Sequence, residues 1–109
     1  IGAHTLNHID LTLASKSEAI QEIEGCKFDL QNFFNVSIED FCYPFGKFNE
    51  SIYKVAKNAG YLSASTMIRG RANSSSNSLK LPRIPVTYHT LPHLFLIKLL
   101  TKYEDNRSN

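Results

Sequence analysis

The chain has 109 residues, with 42% apolar and 20% charged, the profile of an ordinary globular protein and room for one small domain or part of a larger one. Twelve Lys+Arg against ten Asp+Glu give a formal charge of +2, too small an excess to point to nucleic acid or an anionic membrane as partner. The longest apolar run, Leu94 to Ile97, cannot span a bilayer.

Ile1 to Ala3 reads as the end of a buried strand. The chain opens inside that strand without an initiator Met or basic leader, as expected of a domain cut from a longer chain. Ser15-Lys16-Ser17-Glu18 is a capping box, in which the Ser15 hydroxyl accepts from the Glu18 N–H. Behind it Ala19, Ile20, Ile23, Cys26, Leu30, Phe33 and Phe34 recur at helical spacing, and Asn35 is a left-handed stop. Asp40 to Tyr43 is a short strand ended by Pro44 and Gly46. Asn49 caps a second helix, with Ile52, Val55, Ala56 and Ala59 inward and Gly60 beyond its end. Tyr61 to Thr66 is the next strand, and residues 72–78 form a polar loop. Leu81 to Val86 is extended, its two prolines excluding a helix and arguing against a central strand. A last helix covers about Leu91 to Tyr103, with Pro92 in its first turn. The tail, Glu104 to Asn109, is polar and expected to fray. Cys26 and Cys42 lack C-x-x-C spacing and read as small buried hydrophobes.

Strands alternating with helices imply right-handed βαβ units and a parallel sheet, an α/β fold whose chemistry sits at the C-terminal ends of its strands. After the first strand comes His4-Thr5-Leu6-Asn7-His8. Histidines at i and i+4 lie on one face of a helical turn, within reach of one metal ion, but the spacing alone is weak evidence. No Glu stands between them as in H-E-x-x-H, so a zincin base is excluded. After the second strand comes Phe41-Cys42-Tyr43-Pro44-Phe45-Gly46. This is either a plain tight turn or one whose N–H groups point into the cleft, where they stabilise an oxyanion while Tyr43 or Phe45 presents a ring to a sugar face.

Taken together these segments resemble the polysaccharide deacetylase family, the NodB-homology domain of carbohydrate esterase family 4, and within it the branch acting on poly-β-1,6-N-acetylglucosamine. Ile1 to His8 is similar to the second family motif, H-[ST]-x-x-H, in which both histidines bind the catalytic metal. Phe41 to Gly46 is similar to the F-x-Y-P-[YF]-G form of the third motif. Asp10-Leu11-Thr12, the helix with Glu22-Ile23, Ala59-Gly60-Tyr61 and Leu81-Pro82-Arg83-Ile84-Pro85-Val86 continue the resemblance over residues 1–88. It implies part of a distorted (β/α) barrel with parallel strands, its N-terminal strands missing, with residues 1–103 as the C-terminal portion of a NodB-like domain.

The resemblance implies metal-dependent hydrolysis of N-acetyl groups from an amino-sugar polysaccharide. His4 and His8 would hold Zn²⁺ or another divalent ion, which polarises the acetamide carbonyl and activates water. Phe45 would offer its backbone N–H to the oxyanion, with Tyr43 and Arg83 beside it. The family's first motif supplies an Asp pair, one the base and one the third metal ligand. Asp10, Asp29, Asp40 and Asp105 form no such pair, so the chain alone is expected to be inactive. Cys42 stands where the commoner third motif has an Arg that orients the base, and Arg83 is the candidate to replace that charge. His89 and His93 are candidates for the late catalytic histidine by location only. The resemblance further implies an extracellular, periplasmic or cell-surface enzyme with no nucleic-acid partner.

Three other readings compete. One is a degenerate domain that binds glycan through Tyr43, Phe45 and Phe48 without cleaving it. Another is a different metal hydrolase or isomerase on an α/β barrel, for which no further carboxylates stand at strand ends. The third is a structural fragment with no site. A barrel lacking strands would leave a sheet edge and apolar helix faces uncovered, with low stability in isolation.

Overall fold

The structure is a computed structural model and describes residues 1–107. Its elements run α1 (Lys16–Phe34), β1 (Asp40–Cys42), α2 (Glu50–Asn58), β2 (Ser63–Arg69), β3 (Leu81–Arg83) and α3 (Pro92–Leu100), with 3₁₀ turns at Pro44–Gly46, Ser78–Lys80 and Asp105–Arg107. The three strands form one parallel sheet in the order β1-β2-β3. The expected first strand is reduced to one parallel bridge, Ala3 to Phe41, carried by Ala3 N–H to the Asp40 carbonyl and Cys42 N–H to the Ala3 carbonyl. The α/β fold with a parallel sheet therefore stands, as part of a barrel.

Local chemistry sets the helix ends. The Ser15 hydroxyl accepts from Glu18 N–H at 3.3 Å, and Asn35 closes α1 at φ 52°, ψ 44°. The Asn49 side chain accepts from Ile52 N–H at 3.0 Å to start α2, and Gly60 follows its end at φ 77°. α1 and α2 pack together, and a core of Leu11, Ile23, Ile38, Phe41, Tyr43, Ile52, Val55, Tyr61 and their neighbours lies under them. The Tyr61 hydroxyl donates to the Ile23 carbonyl at 3.0 Å, and burial raises its pKa well above the ordinary tyrosine range. Lys27 reaches across from α1 to the Ala59 and Gly60 carbonyls, which satisfies the end of α2 from outside.

Several elements differ from expectation. The apolar stripe of α1 is buried only at Ala19, Ile23 and Cys26, and Phe33 is 82% exposed. The 19 residues of α1 span about 28 Å and the nine of α2 about 13 Å at 1.5 Å per residue, so the last turns of α1 overhang their partner. β2 starts two residues late because Leu62 and Ser63 N–H both bond the Glu39 carbonyl, and it runs on to Arg69. The last helix stops at Leu100, where the Thr101 hydroxyl turns back to the Ile97 carbonyl at 2.7 Å. Apart from the half-buried Leu94, its apolar side chains are more than a third exposed, and the residue it buries is Lys98.

The tail is the clearest correction. Glu104 does not fray: it has no exposed surface, and its carboxylate lies 2.9 Å from both Lys98 Nζ and Arg69 Nε. Asp105 pairs with Arg71 at 2.8 Å, and the chain turns through Asp105–Arg107. Three cations and two carboxylates, invisible as pairs in the sequence, dock the tail on α3 and the end of β2. The rest of the expected tail, 108–109, lies outside the described residues. Both cysteines are free, Cys26 buried and Cys42 only half-buried. Among the described residues no helix is long and apolar enough to cross a membrane.

Candidate active site

Because Ala3 pairs parallel to Phe41, the chain leaves the sheet at His4 beside the C-terminal end of β1. His4 Nδ1 sits 2.7 Å from the Cys42 carbonyl oxygen. A carbonyl only accepts, so Nδ1 carries the proton, and in the neutral ring Nε2 then keeps the lone pair. The segment from His4 to His8 is a loop and not the expected helical turn. Thr5 and His8 adopt left-handed backbone at φ 65° and 53°, a conformation that costs a non-glycine residue about 1–3 kcal/mol. The nearly buried Thr5 hydroxyl offsets part of this by donating to the His4 carbonyl at 2.6 Å and accepting from His8 N–H at 3.0 Å. This reversal, not helical periodicity, brings the two imidazoles together, with centroids 4.7 Å apart and planes at 62°.

A second support comes from α1. Glu22, 5% exposed, accepts from the Asn7 backbone N–H at 2.8 Å and from Asn7 Nδ2 at 2.6 Å, one bond to each oxygen. Sequence reasoning used Glu22 only as part of a resemblance. The available signal was a carboxylate on the inner face of a helix, between Ala19, Ile23 and Cys26, where an unpartnered charge is not tolerated.

The turn after β1 forms the other wall. Phe45 is left-handed at φ 55°, ψ 11°, and Gly46 at φ 65°. A side chain on Gly46 would start 2.5 Å from the Met67 backbone nitrogen, so only glycine lets the turn lie on β2. Gly46 N–H bonds the Tyr43 carbonyl and Lys47 N–H the Pro44 carbonyl, which closes the turn beside the histidines. The Phe45 ring is half-exposed and meets the His8 ring edge-on at 4.8 Å. Lys47 then binds Asp10 at 2.6 Å, and this bond holds the Asp10 carboxyl below its ordinary range.

Tyr43 is not placed as expected. It is wholly buried, with its ring between Phe41 and Phe48 and its hydroxyl donating to the Leu79 carbonyl at 2.9 Å. Desolvation pushes its pKa up to about 12, with Tyr53 adding to the rise. It lies beneath the site as a support and has no face for a sugar; Phe45 has that exposure. Positions 43 and 45 would share a face in an extended chain, and the left-handed turn at Phe45 separates them, which the motif alone did not resolve.

Arg83 comes from the end of β3, and its Nη2 donates to Ser65 Oγ at 2.7 Å and approaches Cys42 Sγ at 3.0 Å. Its charge therefore lies against Cys42, where the resemblance expects it. Beside it opens a cleft of about 590 Å³ lined by Met67, Arg69, Arg83, Ile84, Pro85 and Val86, at the C-terminal ends of β2 and β3. His89 packs on the exposed Tyr88 ring and His93 lies in the first turn of α3. Among the described residues no three His, Cys, Asp or Glu side chains gather as a metal set, so neither histidine joins His4 and His8. The donor chemistry of the pair nevertheless fits part of a divalent site: two neighbouring imidazoles, one with its other nitrogen fixed by a backbone carbonyl, as metal-bound histidines commonly are.

Comparison with known proteins follows the same lines. Residues 1–64 match the family described as polysaccharide deacetylase. The chain is 28% identical over 87 residues to YxkH of Bacillus subtilis (strain 168), whose name places it among the polysaccharide deacetylases, and covers 80% of this chain and 31% of that protein. The structure of the Streptococcus pyogenes deacetylase PplD in complex with acetate superposes with a TM-score of 0.84 at 28% identity, covering 87% of this chain and 42% of that one. BC0361, a polysaccharide deacetylase from Bacillus cereus, shares the fold at a TM-score of 0.80 and 22% identity, over 88% of this chain and 30% of that one. The chain thus spans less than half the length of these relatives. The family match covers the histidine loop, α1 and the turn after β1, the segments that build the site, and on that ground the chain belongs to the polysaccharide deacetylase family.

Proposed function

We propose that this chain supplies the metal-binding and oxyanion side of a hydrolase that removes N-acetyl groups from an amino-sugar polysaccharide. The observation that carries the reading is the His4 Nδ1 bond to the Cys42 carbonyl, which leaves Nε2 available for a metal beside the His8 ring and the Phe45 turn. His4 and His8 would hold Zn²⁺ or another divalent ion, which when bound supplies a Lewis acid for the acetamide carbonyl and an activated water. The Phe45 N–H would offer a hydrogen bond to the developing oxyanion, from the turn whose ring meets His8. The exposed Phe45 ring packs on an apolar sugar face. Arg83, held by Ser65 and Cys42, places a fixed positive charge at the strand ends, where it orients a carboxylate base brought to the site. The cleft beyond Arg83 gives neighbouring sugars room. The narrower assignment to poly-β-1,6-N-acetylglucosamine rests on the form of the segment Phe41 to Gly46 alone. Action outside the cytoplasm, at the cell surface or in the periplasm, follows from a polymer substrate of this kind.

The test is Zn²⁺ binding by competition with a chromogenic chelator, in the wild type and in the double variant His4→Ala, His8→Ala. Wild-type binding that falls at least tenfold in the variant supports the reading, and unchanged affinity overturns the metal assignment. The 109-residue chain alone is expected to release no acetate from N-acetylglucosamine oligomers, because no carboxylate joins the histidines among the described residues. Robust release would overturn the division of roles given above.

A further inference from the structure

We propose that Glu22 is a positioning residue for the histidine pair, acting through Asn7 on the backbone that joins them; the link to metal binding rests on the function proposed above. A carboxylate with 5% exposure on α1 accepts from Asn7 N–H at 2.8 Å and from Asn7 Nδ2 at 2.6 Å. Asn7 lies between Leu6 and His8, at the point where the loop must reverse. The loop holds two strained left-handed residues, Thr5 and His8, and such backbone persists only when its surroundings over-determine it. Thr5 fixes the loop from within, through the His4 carbonyl and the His8 N–H. Glu22 fixes it from outside, to a helix packed in the core. One turn on, Gly25 leaves room for Leu6, whose Cδ1 would lie 3.0 Å from any added Cβ. The loop thus lies across α1 at two successive points. Both oxygens of Glu22 are occupied by Asn7, so it is a brace and not a third metal ligand. Charge-assisted bonds to a buried carboxylate are stronger than neutral ones, which explains a Glu where Gln would fit sterically.

The experiment compares wild type with Glu22→Gln, Glu22→Ala and Asn7→Ala in the full 109-residue chain. Glutamine keeps one acceptor oxygen but places an NH₂ against the donors of Asn7. Two readouts are taken: the nuclear Overhauser contact between the His4 and His8 rings with the ¹⁵N tautomer signature of His4, and the Zn²⁺ affinity. Loss of the ring contact in Glu22→Gln, with amide spectra of β1 to β3 unchanged and Zn²⁺ binding at least tenfold weaker, supports the proposal. A folded Glu22→Gln with the ring contact, tautomer and Zn²⁺ affinity of wild type overturns it. If both Glu22 variants unfold, Asn7→Ala decides by the same readouts, since Asn7 is exposed and its loss leaves the core intact. Absence of Zn²⁺ binding in the wild type, together with a ring contact that Glu22→Gln abolishes, would retire the metal reading and support the brace.

Discussion

Replacing Glu104 is the sharpest test of how the C-terminal segment is held. Its carboxylate is sealed from water between Lys98, whose side chain is 7% exposed, and Arg69, which is 38% exposed. In Glu104→Gln both cations lose their counter-charge, while Lys98 keeps its bond to the Pro85 carbonyl at 2.6 Å. Removing one member of a buried pair costs about 3–5 kcal/mol. Arg69 reaches solvent, which puts the expected loss at the lower end, about 3 kcal/mol. For a domain of this size each kcal/mol is worth about 4–8 °C, so the midpoint should fall by roughly 12–24 °C. Urea and thermal unfolding followed by far-ultraviolet circular dichroism measure both quantities.

The same group gives a signed pH dependence. Burial raises the Glu104 pKa, but hydrogen bonds and charges from Lys98 and Arg69 outweigh it and hold the carboxyl below its usual range. A depressed folded-state pKa means that its stabilisation is fully present above the unfolded carboxyl pKa of about 4.3 and is lost as pH falls through the lower folded value. Below about pH 4.3 the stability gap between wild type and Glu104→Gln should therefore shrink. Asp10 and Asp105 shift the same way but are common to both proteins, so the difference isolates Glu104. A loss under 0.5 kcal/mol at neutral pH (about one-sixth of the estimate), or a gap that widens in acid, would refute the docking of the tail by this pair.

Three further outcomes are expected. Tyr43→Phe leaves the Leu79 carbonyl without its donor and should cost about 1–3 kcal/mol in urea unfolding while leaving Zn²⁺ affinity within twofold; a large loss of affinity would return Tyr43 to the site. Gly46→Ala must move the turn away from Met67 as well as accept a left-handed alanine, at about 1–2 kcal/mol for the backbone alone, and should abolish the Phe45–His8 ring contact seen by nuclear Overhauser spectroscopy. Arg83→Lys keeps the charge but not the fork that spans Ser65 and Cys42, so the Cys42 thiol should react faster with a small alkylating reagent; an unchanged rate would mean that Arg83 does not cover the sulfur.

The sequence by itself determined the parts of this protein that depend on neighbours along the chain. Ser15, Asn35, Asn49 and Gly60 mark helix ends because caps and left-handed stops are made by one residue and its immediate backbone. The alternation of strands and helices announced a parallel sheet, and the family's motifs marked the histidine loop and the Phe41–Gly46 segment that follow the first two strands. Tertiary structure decided what depends on distance. It exposed the Phe33 end of α1, since the length of a partner helix cannot be read from the helix it covers. It buried Tyr43 and left Phe45 at the surface, because a left-handed turn held against β2 at Gly46 breaks the extended chain between them. It turned the histidine spacing from a helical turn into a strained loop braced by Glu22, and a polar tail into a charge-paired dock at Glu104. Asn7 and Glu22 are 15 residues apart, and Arg69 and Glu104 are 35. Such pairs carry no signature in a single chain, since any Glu can meet any Arg or Asn until the core brings two of them together and removes the water between them.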